Sequence, residues 1–249
     1  MAKQPHSEHE LELALVRLAG SNVAAVEYRD IMAGVILGQM LPAGTVVKGG
    51  TSMRLRLGPG KSRVTVDFDA ARNVDLDVYI RELRSKLEMG WTDFTGEVTI
   101  RKQGSPVGVP FEYVMQPLSV KLAYRRHSWC SVRLEVGHNE LGDADEFETR
   151  DLPQEIKDIF AALNFPEPRP IPLMKISFQM AQKLHGVSQR GSSRVRDLID
   201  LQLIVNNEVL DLPETASVCR RLLSTGGCSR GRRKSSRPKT GRPRTTTRG

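Results

Sequence analysis

Apolar positions recur at helical spacing from residue 8 to 41. Leu11, Leu13, Leu15, Val16, Leu18 and Ala19 form one stripe, and residues 31–41 form another. This predicts helix over 8–41. Pro42-Ala43-Gly44 breaks the pattern. Residues 45–48 (Thr-Val-Val-Lys) read as a short buried strand running into Gly49-Gly50, and residues 51–57 as a short helix or turn. Residues 63–69 alternate at period two and predict a strand. Leu76, Ile80, Leu83 and Leu87 share a helix face within 75–89. Strands follow at 97–102, 119–124 and 131–136, and a helix at 153–163 opens on Pro153. The four prolines of residues 165–172 remove donors and fix φ, so that segment is expected to hold no regular structure. Two helices are predicted beyond it, at 175–187 and 193–206. The sum is an α/β (α+β) protein: a mixed sheet with flanking helices over 1–164, a proline-rich linker at 165–172, and a helical region at 173–225.

Composition alters this picture at one end. The chain has 249 residues and a formal charge of +8. Nine of its positive residues and no acid lie in 226–249, which leaves residues 1–225 at about −1. That tail has too little apolar content to offset the entropy of ordering and is expected to be disordered. It would either hold phosphate backbones through nonspecific contacts or act as a solubilising extension. No run of about 18 apolar residues occurs, so no spanning helix and no membrane partner are expected. The N-terminus lacks an apolar signal region. Cys130, Cys219 and Cys228 lie far apart, which argues against a disulfide framework and suggests a reducing cytoplasm. The five histidines show no metal-ligand spacing.

The candidate chemistry is carboxylate chemistry. Asp67 and Asp69 stand one residue apart on a predicted strand, so both project from one face while Phe68 points into the core. Glu135 lies on a later alternating strand. If the two strands are neighbours, three carboxylates converge and repel one another, and a divalent cation is the remedy. Taken alone, an Asp-x-Asp pair reads more readily as a solvated strand edge. Gly49-Gly50-Thr51-Ser52 directly follows a strand; glycines there let backbone N–H groups approach a phosphate, although an ordinary tight turn has the same composition. Neither G-x-x-x-x-G-K-[ST] nor G-x-G-x-x-G is present.

The order of these features resembles the polymerase-β-like nucleotidyltransferases and, within them, the AbiEii/AbiGii toxin family. Lys48-Gly49-Gly50-Thr51-Ser52-Met53 matches that family's glycine turn, and Arg63-Val64-Thr65-Val66-Asp67-Phe68-Asp69 matches its acidic strand. Lys183 followed by Arg196-Asp197-Leu198-Ile199-Asp200 matches its C-terminal lysine and R-D-x-x-D signature. The resemblance implies a nucleotidyltransferase-type mixed sheet and a two-metal Mg²⁺ site, with Mn²⁺ as the alternative ion, held by Asp67, Asp69 and Glu135. It implies a catalytic role for Lys183 alongside those acids. Nucleotide contacts fall to Lys48, Gly49, Gly50, Thr51, Ser52, Arg63, Lys183, Asp197 and Asp200. Other readings stand beside these: Lys183 as a solvated lysine, Arg63 as a cap on the sheet edge, and Asp197 with Asp200 as a surface ion-pair network. The implied partners are an NTP, an RNA acceptor such as the 3′ end of tRNA, and a cognate antitoxin, in a toxin–antitoxin system serving phage defence. Transfer onto a protein hydroxyl, or a catalytically silent RNA-binding protein of the same fold, are the rival readings. The basic tail has no counterpart in the motifs that carry the resemblance.

Overall fold

The computed structural model describes residues 3–104, 114–189 and 191–226; the expected basic tail lies, beyond Gly226, outside them. The predicted 8–41 helix is two helices, α1 (Glu8–Ala19) and α2 (Asn22–Gln39). Gly20 ends α1 in the left-handed region (φ 74°), and Ser21 caps α2 by accepting from the Ala24 N–H. The centre of α2, from Ile31 to Leu37, is buried on every side, as expected of a helix inside the core.

Strand β1 (Thr45–Lys48) leads directly into α3 (Gly49–Leu57), then β2 (Asp67–Arg72) and α4 (Leu76–Met89). A three-stranded antiparallel stretch follows as β3 (Phe94–Ile100), β4 (Gln116–Tyr124) and β5 (His127–Gly137). Then come β6 (Phe147–Arg150), α5 (Gln154–Ala162), β7 (Ile171–Met174), α6 (Ile176–Ser188), α7 (Val195–Asn207) and α8 (Leu212–Gly226). The strands form one seven-stranded mixed sheet in the order β3-β4-β5-β2-β1-β7-β6.

The alternation of strand side chains divides the molecule in two. Val47, Phe68, Ala70, Leu134 and Val136 face the large core built with α1, α2, α4 and α5. Val46 and Ala71 face the other way, against Met174, Phe178, Ala181, Val218 and Leu222, so α6 and α8 cover that face. Asp67, Asp69 and Glu135 alternate with the first set and therefore stand on the second face.

Three expectations are corrected. The strand predicted from Arg63 begins at Asp67, and Val64 and Val66 are 71% and 59% exposed. The proline-rich 165–172 segment is regular at its end: Ile171 and Pro172 open β7, which pairs parallel with β1 and antiparallel with β6. Prolines do not bar this strand because it is only four residues long and its ladder to β1 is a single register pair, Val47↔Leu173. Helix α8 went unread although its start carries a signal: Asp211 accepts from the Glu214 N–H ahead of Pro213 and an apolar spacing.

Candidate active site

Strands β2 and β5 are neighbours, and their parallel register sets Asp69 opposite Glu135 and Asp67 opposite Arg133. On the other flank of β2, Lys48 of β1 pairs with Asp69. The three sequence-predicted acids thus share one sheet face beside a cleft of about 860 Å³. The cleft is walled by the Gly49-Gly50 turn, these acids, and α6 with the start of α7.

The turn is built around the acids. Gly49 has φ +65°, and a Cβ there would meet the Asp69 carboxylate at 2.0 Å. A Cβ on Gly50 would meet the Arg63 guanidinium and the Thr65 hydroxyl, each at 2.9 Å. Glycine is required at both by contact and at Gly49 also by backbone conformation. The first N–H groups of α3 have no carbonyl partner within the helix and suit an anion. Thr51 donates its hydroxyl to the Asp67 carbonyl at 2.9 Å, and Gln179 of α6 donates to the Gly49 carbonyl at 3.0 Å. Ser52 is fully buried, with its hydroxyl beside Arg56, so the fold does not bring it to the cleft.

The acids differ in their surroundings. Burial pushes the Asp69 carboxyl up to about 6; Lys48 pulls against this, and Glu135 and Asp67 add to it. Glu135 is raised as well, by burial and then by Asp67. Asp67 leans on Arg133 at 3.9 Å in an exposed pair. Among the described residues, no three His, Cys, Asp or Glu side chains are gathered closely enough to hold a metal ion as they stand. The expected three-carboxylate ion site is therefore not preformed, because like charges repel and Asp67 and Asp69 each have a neighbouring cation. The donors nevertheless suit a hard divalent ion: they are oxygen only, and besides burial Asp69 is raised by Glu135 and Asp67, and Glu135 by Asp67.

The far wall is a paired network. Lys183 of α6 donates to Asp197 at 3.1 Å and to Asp200 at 2.6 Å. Arg63 reaches Asp200 with two bonds of 2.8 and 2.9 Å, a fork on a carboxylate that is wholly buried. Asp197 also meets Arg194 at 2.6 Å. Lys183, Arg63 and Asp197 line the cleft; Asp200 lies behind them and acts by holding the two cations. One acid escaped the sequence reading. Asp143 is fully buried and accepts from Gln182 at 2.8 Å, and Lys48 is the strongest opposing charge on it as on Asp69. Nothing in its turn-rich surroundings, Asn139 to Asp145, announces that burial.

A mixed sheet, a strand running into a double-glycine helix start, and paired acids on the next strand define a nucleotidyltransferase. Over residues 35–245 the chain matches the family described as nucleotidyl transferase AbiEii toxin of type IV toxin–antitoxin systems, and it belongs to that family. The matched range runs into the basic tail, which the sequence motifs alone had left without a counterpart. Among solved structures it is similar to MenT4, a nucleotidyltransferase toxin of Mycobacterium tuberculosis H37Rv. Identity is 20%, the TM-score is 0.55, and the alignment covers 84% of this chain and 68% of that one. It also aligns with the protein JHP933 of Helicobacter pylori at 14% identity and a TM-score of 0.46, over 82% of this chain and 76% of that one. No curated protein sequence matches it significantly. No helix among the described residues is long and apolar enough to cross a membrane.

Proposed function

We propose that the chain transfers a nucleoside monophosphate from an NTP to an RNA hydroxyl, with the 3′ end of tRNA as the acceptor, as the toxin of a toxin–antitoxin pair acting in the cytoplasm in phage defence. The observation that carries this is the register of Asp69 with Glu135, two residues from Asp67, over the Gly49-Gly50 turn. The triphosphate lies along the α3 N-terminus, with Lys48 and Lys183 supplying positive charge from opposite walls. Asp197 and Asp200 hold Lys183 in place, and Arg63 closes the same wall. Asp67, Asp69 and Glu135 would hold Mg²⁺ or Mn²⁺, which would supply charge neutralisation at the phosphates. Glu135 accepts the proton of the attacking hydroxyl. The acceptor oxygen bonds to the α-phosphorus, the bond to the β-phosphate bridge breaks, and pyrophosphate departs.

The test is incubation of the purified chain with each α-labelled NTP, Mg²⁺ and total RNA or cell lysate. Label enters RNA, and Asp69→Asn lowers it by about 10³-fold or more, the scale of losing a charged group that acts in the transition state. Label confined to protein would replace the acceptor, and no label in any fraction from a folded sample would overturn transfer itself.

A further inference from the structure

A second cavity, of about 380 Å³, lies on the opposite side of Asp67 from the large cleft. Only Thr65 and Asp67 line both. It exists because residues 63–66 leave the sheet. The β2–β5 register begins at Asp67↔Arg133, so the β5 edge from Trp129 to Val132 has β4 on one side and no β2 residue on the other. Val64 and Val66 continue the apolar face of Phe68 but end as exposed walls of this gap.

The floor of the gap holds an unsatisfied cation. Arg54 is 5% exposed, and its Nε is buried without a hydrogen-bond partner. A buried donor without a partner is costly, which marks a place where a ligand supplies what the protein does not. Asp30 is the strongest opposing charge on Arg54 and lines the same cavity, where it also meets Arg29 at 3.8 Å in a partly exposed pair. A fork of donors and a carboxylate acceptor therefore face a common space across a gap neither closes, between apolar walls. That is complementary to the edge of a nucleobase offering an acceptor beside an amino group, with its faces against Val64, Val66 and Val132. A phosphate fits it poorly, because Asp30 and Asp67 both stand on the walls. The triphosphate does not need the space, since the large cleft already contains the glycine turn, both lysines and room for a nucleotide.

We propose that this cavity binds the terminal nucleobase of the RNA acceptor, an amino-bearing base (adenine, guanine or cytosine) over uracil, and so presents that nucleoside's 3′ hydroxyl across Asp67 to the α-phosphate. The inference rests on the RNA acceptor argued above. Arg54 and Asp30 are binding residues for the base, and the exposed Val66 is a wall that can be altered without disturbing the core.

The experiment uses the full chain, an α-labelled NTP, Mg²⁺ and RNA transcripts that differ only in the 3′-terminal nucleoside. Wild type labels transcripts ending in A, G or C with KM about tenfold below that for U. Val66→Trp, which fills the gap, raises the acceptor KM about tenfold with the NTP KM unchanged. Asp30→Asn flattens the preference between terminal bases. If wild type labels RNA but shows no terminal preference, or both variants keep its acceptor KM and preference, the cavity assignment is overturned. A rise in NTP KM instead, with acceptor KM constant, places the base of the triphosphate there and also overturns it. Wild type that labels protein and never RNA fails at the acceptor class, a result distinct from these, and the assignment falls with it.

Discussion

Two clusters of charge face each other across one cleft, and they are built on opposite principles. On the sheet, Asp67, Asp69 and Glu135 share a face, and of these Asp69 and Glu135 are raised by burial and by their neighbours. On the helices, Lys183, Arg63, Asp197 and Asp200 are matched cation to anion with hydrogen-bond geometry. Matched buried charges hold shape, since removing either partner strands the other. Like charges gathered on one face store affinity for something the chain lacks. In the proposed reaction the network does the work of positioning and the sheet acids the work of chemistry.

The most forceful way to break that division is Asp200→Ala. It leaves Arg63 and Lys183 without their shared buried carboxylate and is expected to cost about 3–5 kcal/mol of stability, read as a lowered urea midpoint. A loss below about 1 kcal/mol would mean that the network is not what fixes the helical wall.

A sharper contrast comes from Asp69→Asn in metal-free protein. The Asp69 carboxyl is raised in the folded chain, from an ordinary value of 3.8 to about 6. Its contribution is therefore intact below about pH 4 and lost as pH rises through about 6, because the folded state then carries a charge it disfavours. Asparagine removes that charge, so the variant is expected to be more stable than wild type at pH 7.5, on the order of 2 kcal/mol, and nearly equal to it at pH 4. Added Mg²⁺ should narrow the difference at pH 7.5 by stabilising wild type. Thermal unfolding at both pH values checks this, and a variant less stable than wild type at pH 7.5 contradicts it.

The smallest effect belongs to Arg133→Ala. The Arg133–Asp67 pair is exposed on both sides at 3.9 Å, and its removal should change the unfolding free energy by less than about 0.5 kcal/mol. A larger loss would show the sheet face to be a paired network like its counterpart.

Much of the sheet side was legible in the chain. Period-two spacing placed Asp67 and Asp69 on one face opposite Phe68, and the Lys48-Gly49-Gly50 order put a strand end against a helix start. These are local patterns, and local geometry follows from local sequence. Glu135 could be named as a candidate, yet its place opposite Asp69 depends on β5 lying beside β2, a pairing of residues far apart in the chain. The helix network was legible only in part. Spacing put Asp197 and Asp200 on one face and Lys183 on another helix. It did not show Asp200 wholly buried, nor Arg63 gripping it from 137 positions away. Ser52 looked like part of the phosphate turn and is core; Asp143, which no sequence pattern singled out, is also buried.

The sequence alone determined the elements that periodicity and punctuation control: the amphipathic helices, the glycine turn, the acidic strand and the charge-dense tail. The tertiary structure decided where the alternating pattern stops being a strand. Residues 63–69 alternate throughout, but only those from Asp67 on find β5 to pair with, so Val64 and Val66 are left exposed beside a buried Arg54. The reason is physical: alternation sets which way side chains point, while pairing and burial depend on neighbours that folding brings from elsewhere in the chain.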